Sequence, residues 1–232
     1  LTYEKGASVV RMLQQYLGED RFQAGIRQYL AAHAYGNTET TDLWDAIEDA
    51  TGEPVRQIMD SWIFRPGHPV ISVSAHGSSV TLRQDRFSFA PDDAAAIERP
   101  TDEPRSVPVV LRLGTEAGAA VHRVLLDGPE ATLPLEQAPD WIVGNHEGNG
   151  FYRVELADGD LQAVAARAPA VASPLERYGL VEDEFALILA GRSSVKRLFG
   201  LLRSLATDDD LSVWQRAIGV TASLGRVAPE DQ

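Results

Sequence analysis

The chain has 232 residues, with 34 acidic against 21 basic side chains for a net charge of −13, no cysteine and two methionines. Its 44% hydrophobic and 24% charged content is that of a folded globular chain, long enough for one large or two small domains. The acidic excess argues against nucleic acid as a partner, the lack of cysteine removes disulfides, thiolate metal sites and cysteine nucleophiles, and no apolar run nears the ~20 residues needed to span a bilayer.

Helical periodicity begins within a few residues of Leu1, with no lead-in segment, so the chain is expected to be cut from something longer. Residues 1–68 read as consecutive amphipathic helices. Val9, Val10, Leu13, Tyr16 and Leu17 recur at helical spacing before Gly18, and Phe22, Ile26, Tyr29, Leu30 and His33 line a second helix that opens at Glu19-Asp20 and stops at Tyr35-Gly36-Asn37. Thr40-Thr41-Asp42 is N-cap chemistry for a third helix ending at Gly52, and Pro54 takes the first turn of a fourth with Val55, Ile58, Met59 and Trp62 as its stripe. The breaker Arg65-Pro66-Gly67-His68-Pro69 ends this zone.

From residue 69 the period becomes two. Val70–Ala75 turns through His76-Gly77-Ser78-Ser79 into a return strand carrying Val80, Leu82, Phe87 and Phe89. Val107–Leu113, Ala119–Leu126, Ala131–Leu135, Trp141–Gly144 and Phe151–Leu156 follow, which predicts a compact antiparallel β-sandwich over 69–157, with Pro91–Pro104 an exposed loop. Helical spacing returns over 158–232, in three stretches led by Leu175, Val195 and Val213, as at the opening of a helical repeat array.

Motif searches for chemistry are sparse. No two of His33, His68, His76, His122 and His146 have the spacing of a helical zinc motif, and a structural role is expected for each lone histidine. His146-Glu147 offers two adjacent donors, which make a weak metal site. There is no Gly-x-Ser-x-Gly elbow or phosphate loop, and Glu48-Asp49 and Asp208-Asp209-Asp210 read as a solvated helix face and a helix N-terminal cluster.

Local patterns carry more. Thr2-Tyr3-Glu4-Lys5-Gly6-Ala7-Ser8-Val9-Val10-Arg11-Met12-Leu13 resembles the segment after the zinc-binding helices in the M1 family of zinc aminopeptidases, the aminopeptidase N type. The resemblance continues in order through Gly18–Phe22, His33–Asn37, Thr41–Trp44, Gly52–Val55, Met59–Trp62, Gly67–Val70, Trp141–Asn145, Gly150–Val154 and Leu180–Leu187.

This resemblance implies a multidomain α and β slice of such an enzyme. Residues 1–68 would be the all-α tail of a thermolysin-like catalytic domain, 69–157 the antiparallel β-sandwich and 158–232 the start of an α-helical repeat domain. Tyr3 matches the family's catalytic tyrosine, whose phenol stabilises the oxyanion formed when zinc-bound water attacks a peptide carbonyl. A phenol of pKa near ~10 is a neutral donor at pH 7, and one aimed at developing charge is worth ~3 kcal/mol. Gly6 is expected to serve close packing and Lys5 local polar contacts.

The Gly-x-Met-Glu-Asn motif, the His-Glu-x-x-His pair and the third zinc ligand, which the resemblance puts before Tyr3, are absent from the sequence. The parent is therefore expected to use zinc to remove N-terminal residues from peptides with a free N-terminus. This chain alone is expected to bind no metal and to be inactive, leaving the apolar faces that meet the missing catalytic half exposed or covered by a neighbour. The alternative is a non-catalytic M1-like scaffold serving as an interaction platform. Two lysines against abundant arginine and alanine, with no cysteine, fit a bacterial, cytoplasmic source.

Overall fold

The computed structural model describes residues 2–89 and 103–227. The loop expected at Pro91–Pro104 therefore lies, apart from its last two residues, outside the described part.

Four helices come first: α1 (Thr2–Leu17), α2 (Glu19–Ala32), α3 (Thr40–Thr51) and α4 (Val55–Ile63). The stripe predicted for α1 is its buried face, where Val9, Met12, Leu13 and Leu17 leave water. Gly18 follows at a positive φ of 84°. Gly25 lets α2 and α3 approach closely, since a Cβ there would lie 2.7 Å from the Cα of Ile47. The N-cap of α3 is Glu39 rather than Thr40 or Thr41: the Glu39 N–H donates to Asp42 Oδ2 at 2.8 Å, which starts the helix one residue earlier. Gly52 closes α3 in the left-handed conformation, and Pro54 sits at the N-cap of α4 rather than inside it.

Among the described residues seven strands follow: β1 (Pro69–Ala75), β2 (Ser79–Arg86), β3 (Val107–Thr115), β4 (Gly118–Leu126), β5 (Glu130–Pro134), β6 (Trp141–Val143) and β7 (Arg153–Leu156). They form a four-stranded sheet in the order β5-β2-β1-β7 and a three-stranded sheet in the order β4-β3-β6. The pairing is not wholly antiparallel. The chain leaves β6 in the second sheet, crosses through residues 144–152 and enters the first sheet with β7 parallel to β1, Val70 opposite Arg153 and Val73 opposite Leu156. The return strand ends at Arg86; Phe87 is instead buried with Val70, Ala186 and Leu187, and Phe89 is exposed. Gly114 is the tightest point of the second sheet, because a Cβ there would fall 1.9 Å from the Trp141 ring of the neighbouring strand.

The remaining helices are α5 (Asp158–Ala165), α6 (Ala168–Val171), α7 (Pro174–Leu189), α8 (Val195–Ser204) and α9 (Leu211–Val227). Ser173 and Ser194 cap α7 and α8 by accepting the N–H groups of Glu176 and Arg197. Asp210 does the same for the start of α9 through the Ser212 and Val213 N–H groups. One contiguous core runs from Val9 in α1 through Ile71, Leu111 and Ile142 in the sheets to Leu198 and Val220 in the last helices.

Buried charge ties α7 to the sheets. The Glu176 carboxylate is almost fully enclosed; Oε1 accepts from the Glu147 N–H and from His146 Nδ1, each at 3.0 Å, and Oε2 from the Ser173 N–H at 2.8 Å and Arg112 Nη2 at 2.5 Å. Burial alone would raise its pKa, but the two backbone N–H groups, the histidine and the arginine together hold it below the usual carboxylate range. Arg153 on β7 pairs with Glu182 at 3.1 Å and Asp183 at 3.2 Å. Beside Glu176, Arg177 of α7 forms a buried pair at 2.5 Å with Asp208, which lies between α8 and α9.

Two outcomes follow from this packing. Gly114→Ala should lower unfolding free energy by about 1–3 kcal/mol in urea titration, because the Trp141 ring must leave its place. Glu176→Gln should cost about 2 kcal/mol or more at pH 7, because Arg112 loses its buried partner. The Glu176 contribution is fully present above an unfolded pKa of 4.5 and is lost as pH falls through the lower folded value. The gap in urea midpoint between wild type and Glu176→Gln should therefore narrow on acidification from pH 7 to below 4.5; a constant gap would rule the linkage out.

Candidate functional site

Tyr3 sits in the first turn of α1 with its side chain 91% exposed. Further down the same helix, Val9, Met12, Leu13 and Leu17 are buried in the core that α1 shares with α4 and the sheets. Further along, Arg11 Nε donates to Asn149 Oδ1 at 2.5 Å and the Phe151 N–H points to Met12 Sδ at 3.4 Å, so α1 is also fastened to the crossing between β6 and β7.

The residues after Tyr3 divide differently from expectation. Lys5 makes a polar contact, its Nζ donating to the Arg65 carbonyl at 3.2 Å. Burial, then the nearby Arg105 charge, pull its ammonium below the usual lysine range. Gly6 packs against nothing, since a Cβ there would meet no atom within 4 Å. The close packing expected of it is not made within the described residues, because this side of α1 faces outward. Ser8 Oγ donates within the helix to Glu4 O at 2.8 Å.

The histidines take local roles. His33 ends α2 with its ring 5.4 Å from that of Tyr29, and His76 lies in a turn with Nε2 3.1 Å from Ser74 Oγ. His122 sits in β4 opposite Leu111, and His146 belongs to the Glu176 cluster. His68 is more than part of a breaker: its ring stacks on Phe87 at 5.1 Å and meets Phe151 at 5.8 Å. Burial, followed by the charges of Arg153, Arg105 and Lys5, pushes its pKa down to about 4, so it is neutral at pH 7.

Among the described residues no three His, Asp or Glu side chains are grouped to hold a metal ion, and His146-Glu147 gathers no third donor because Glu176 already accepts both the ring and the Glu147 N–H. The described side chains therefore do not fit a zinc ion. The acidic runs resolve into structural parts: Glu48 Oε2 accepts the Arg56 N–H at 2.9 Å at the start of α4, and Asp208, besides accepting the Asp210 N–H at 3.0 Å before α9, pairs with Arg177. Among the described residues no helix is long and apolar enough to cross a membrane.

Arg105 and Gln84 had no sequence signal. Gln84 Nε2 donates to the carbonyls of Arg105, Leu126 and Gly128 while its Oε1 accepts the Arg105 N–H, so one side chain gathers three chain segments. Arg105 lies 100 residues beyond Lys5 and its partners are backbone carbonyls, which leave no pattern in a sequence.

Comparison with known proteins bears on this arrangement. A model of the peptidase family M1 domain matches residues 1–62, and a model of the ERAP1-like C-terminal domain matches residues 141–232. Aminopeptidase M1-D of Oryza sativa is 34% identical over 98% of this chain and 26% of its own length. Puromycin-sensitive aminopeptidase of Caenorhabditis elegans is 35% identical over 92% of this chain and 23% of its own length. Tricorn protease-interacting factor F2 of Thermoplasma volcanium is 31% identical over 100% of this chain and 27% of its own length. The chain thus spans about a quarter of the length of these relatives. Matched by the family model over its first 62 residues and by aminopeptidases along nearly its whole length, the chain belongs to peptidase family M1.

Proposed function

We propose that this chain is the portion of a zinc aminopeptidase that follows the zinc-binding helices, and that the whole protein removes N-terminal residues from peptides with a free N-terminus. The observation that carries the reading is Tyr3, an exposed phenol in the first turn of a helix whose later residues Val9, Met12, Leu13 and Leu17 are locked into the core. In that role the Tyr3 O–H donates a hydrogen bond to the oxygen of the scissile carbonyl as negative charge develops on it. The metal ligands are assigned to residues outside this chain, since those described here do not gather around an ion.

The reading extends to the modules. Residues 1–68 are taken as the end of the catalytic domain, 69–157 as its small β-sandwich neighbour and 158–232 as the start of the helical repeat domain. The two sheets with a common core and the helices after Asp158 support this division. The rest of the catalytic domain is the partner proposed for the outer side of α1–α4, where Leu30, Tyr35, Ile63 and Phe64 are exposed. A cytoplasmic bacterial setting rests on composition: no cysteine and two lysines among 21 basic residues.

Two measurements test the proposal. The 232-residue chain should neither take up stoichiometric zinc nor turn over an aminoacyl-anilide, and either result would refute its inactivity. In the full-length peptidase, Tyr3→Phe should lower kcat by on the order of 10²–10³-fold with KM little changed, the loss typical of one oxyanion donor; an unchanged kcat removes the assignment.

A further inference from the structure

The first turns of α1 reach the end of α4 through Lys5. Among residues 3–8, Tyr3, Glu4, Gly6 and Ala7 are exposed, and only Lys5 and Ser8 are partly covered. The Ser8 hydroxyl bonds within the helix, so the hydrogen bond from Lys5 Nζ to the Arg65 carbonyl ties this stretch to the rest of the fold. Gly6, next in line, costs ~1 kcal/mol relative to alanine in a helix interior, so this turn gains from an outside tether.

The acceptor of that bond is itself clamped. Arg105, on the approach to β3, donates Nη1 to the same Arg65 carbonyl at 3.3 Å and to Ser61 O at 2.7 Å, and Nη2 to Pro66 O at 2.5 Å. These carbonyls lie in the last turn of α4 and just beyond it, at the negative end of the helix dipole, which is where cations are favoured. The guanidinium lies over the Trp62 ring at 5.2 Å, and its backbone N–H is held by Gln84 Oε1 at 2.9 Å. The adjoining Ser106 accepts Trp62 Nε1 at its carbonyl and Gln57 Nε2 at its hydroxyl, each at 3.0 Å. Arg105 is thus immobilised by the sheets and by α4 before it meets Lys5. Two cations sharing one carbonyl repel each other, and the α4 terminus offsets that cost by accepting both.

We infer that Lys5 and Arg105 are positioning residues for Tyr3: through the Arg65 carbonyl they fix the first turn of α1 against α4 and the sheet module. The inference rests on the proposed role of Tyr3. It makes the sheets part of the catalytic geometry, because a side chain from the approach to β3 sets where a phenol far earlier in the chain stands.

The test uses the full-length peptidase and this chain side by side. Lys5→Met and Arg105→Gln should lower kcat by about tenfold or more with KM held within about twofold, and Lys5→Arg should restore most of it, since misplacement of a catalytic group by ~1 Å is costly. In the 232-residue chain, Lys5→Met should speed amide exchange in the first turns of α1 while α2 and α3 keep their protection. If Tyr3→Phe is inactive but Lys5→Met has wild-type kcat, the positioning role is overturned and the oxyanion assignment stands. If Tyr3→Phe retains full kcat, the oxyanion assignment fails and the catalytic meaning of the clamp fails with it. Unchanged exchange in Lys5→Met overturns the clamp whatever the kinetics show.

Discussion

The end of α4 is where this chain changes from helix to sheet, and the fully buried Trp62 is the peg on which that change hangs. Its indole donates to the Ser106 carbonyl, its ring meets Phe151 at 5.9 Å and its face carries the Arg105 guanidinium. A helix C-terminus leaves carbonyls that need donors, and here they come from elsewhere in the chain, Arg105 before β3 and Lys5 in α1. One helix end therefore sets the relation of α1, α4 and both sheets. Tyr3 inherits its place from that relation rather than from contacts of its own.

A second joint is built from buried ionic groups. Glu176 collects donors from β3, the turn at residues 146–148 and its own helix cap, while Arg153 on β7 reaches Glu182 and Asp183 about two turns further along α7. Burial pushes the Asp183 carboxyl up to about 7 despite the guanidinium and the Val154 N–H beside it, whereas the donors around Glu176 hold that carboxyl below its usual range. Hydrophobic contact alone would let α7 slide along the sheets. Directional hydrogen bonds to a single buried carboxylate give it one register.

Secondary structure was readable because it obeys local rules. The stripe Val9, Leu13, Leu17 and the stripe Val55, Ile58, Met59, Trp62 are buried as their spacing requires, and the strand runs fall where the period turns to two. The misses share one cause. Thr40-Thr41 lost the cap to Glu39 because Asp42 reaches back to the Glu39 N–H. Phe87 left the return strand for a pocket made by Val70 and α7, and β7 joined β1 in parallel because the chain crosses between sheets. Each depends on a partner distant in sequence or on a geometry that two patterns satisfy equally.

By itself, the sequence determined the order of helices, strands and helices, the identity of the core faces and, through the motif around Tyr3, the kinship with M1 peptidases, because periodicity and short motifs are properties of neighbours along the chain. Only the tertiary structure decided that Lys5 and Arg105 meet at one carbonyl, that Glu176 gathers its four donors and that Gly6 faces open space, because these are encounters between residues that sequence distance does not relate.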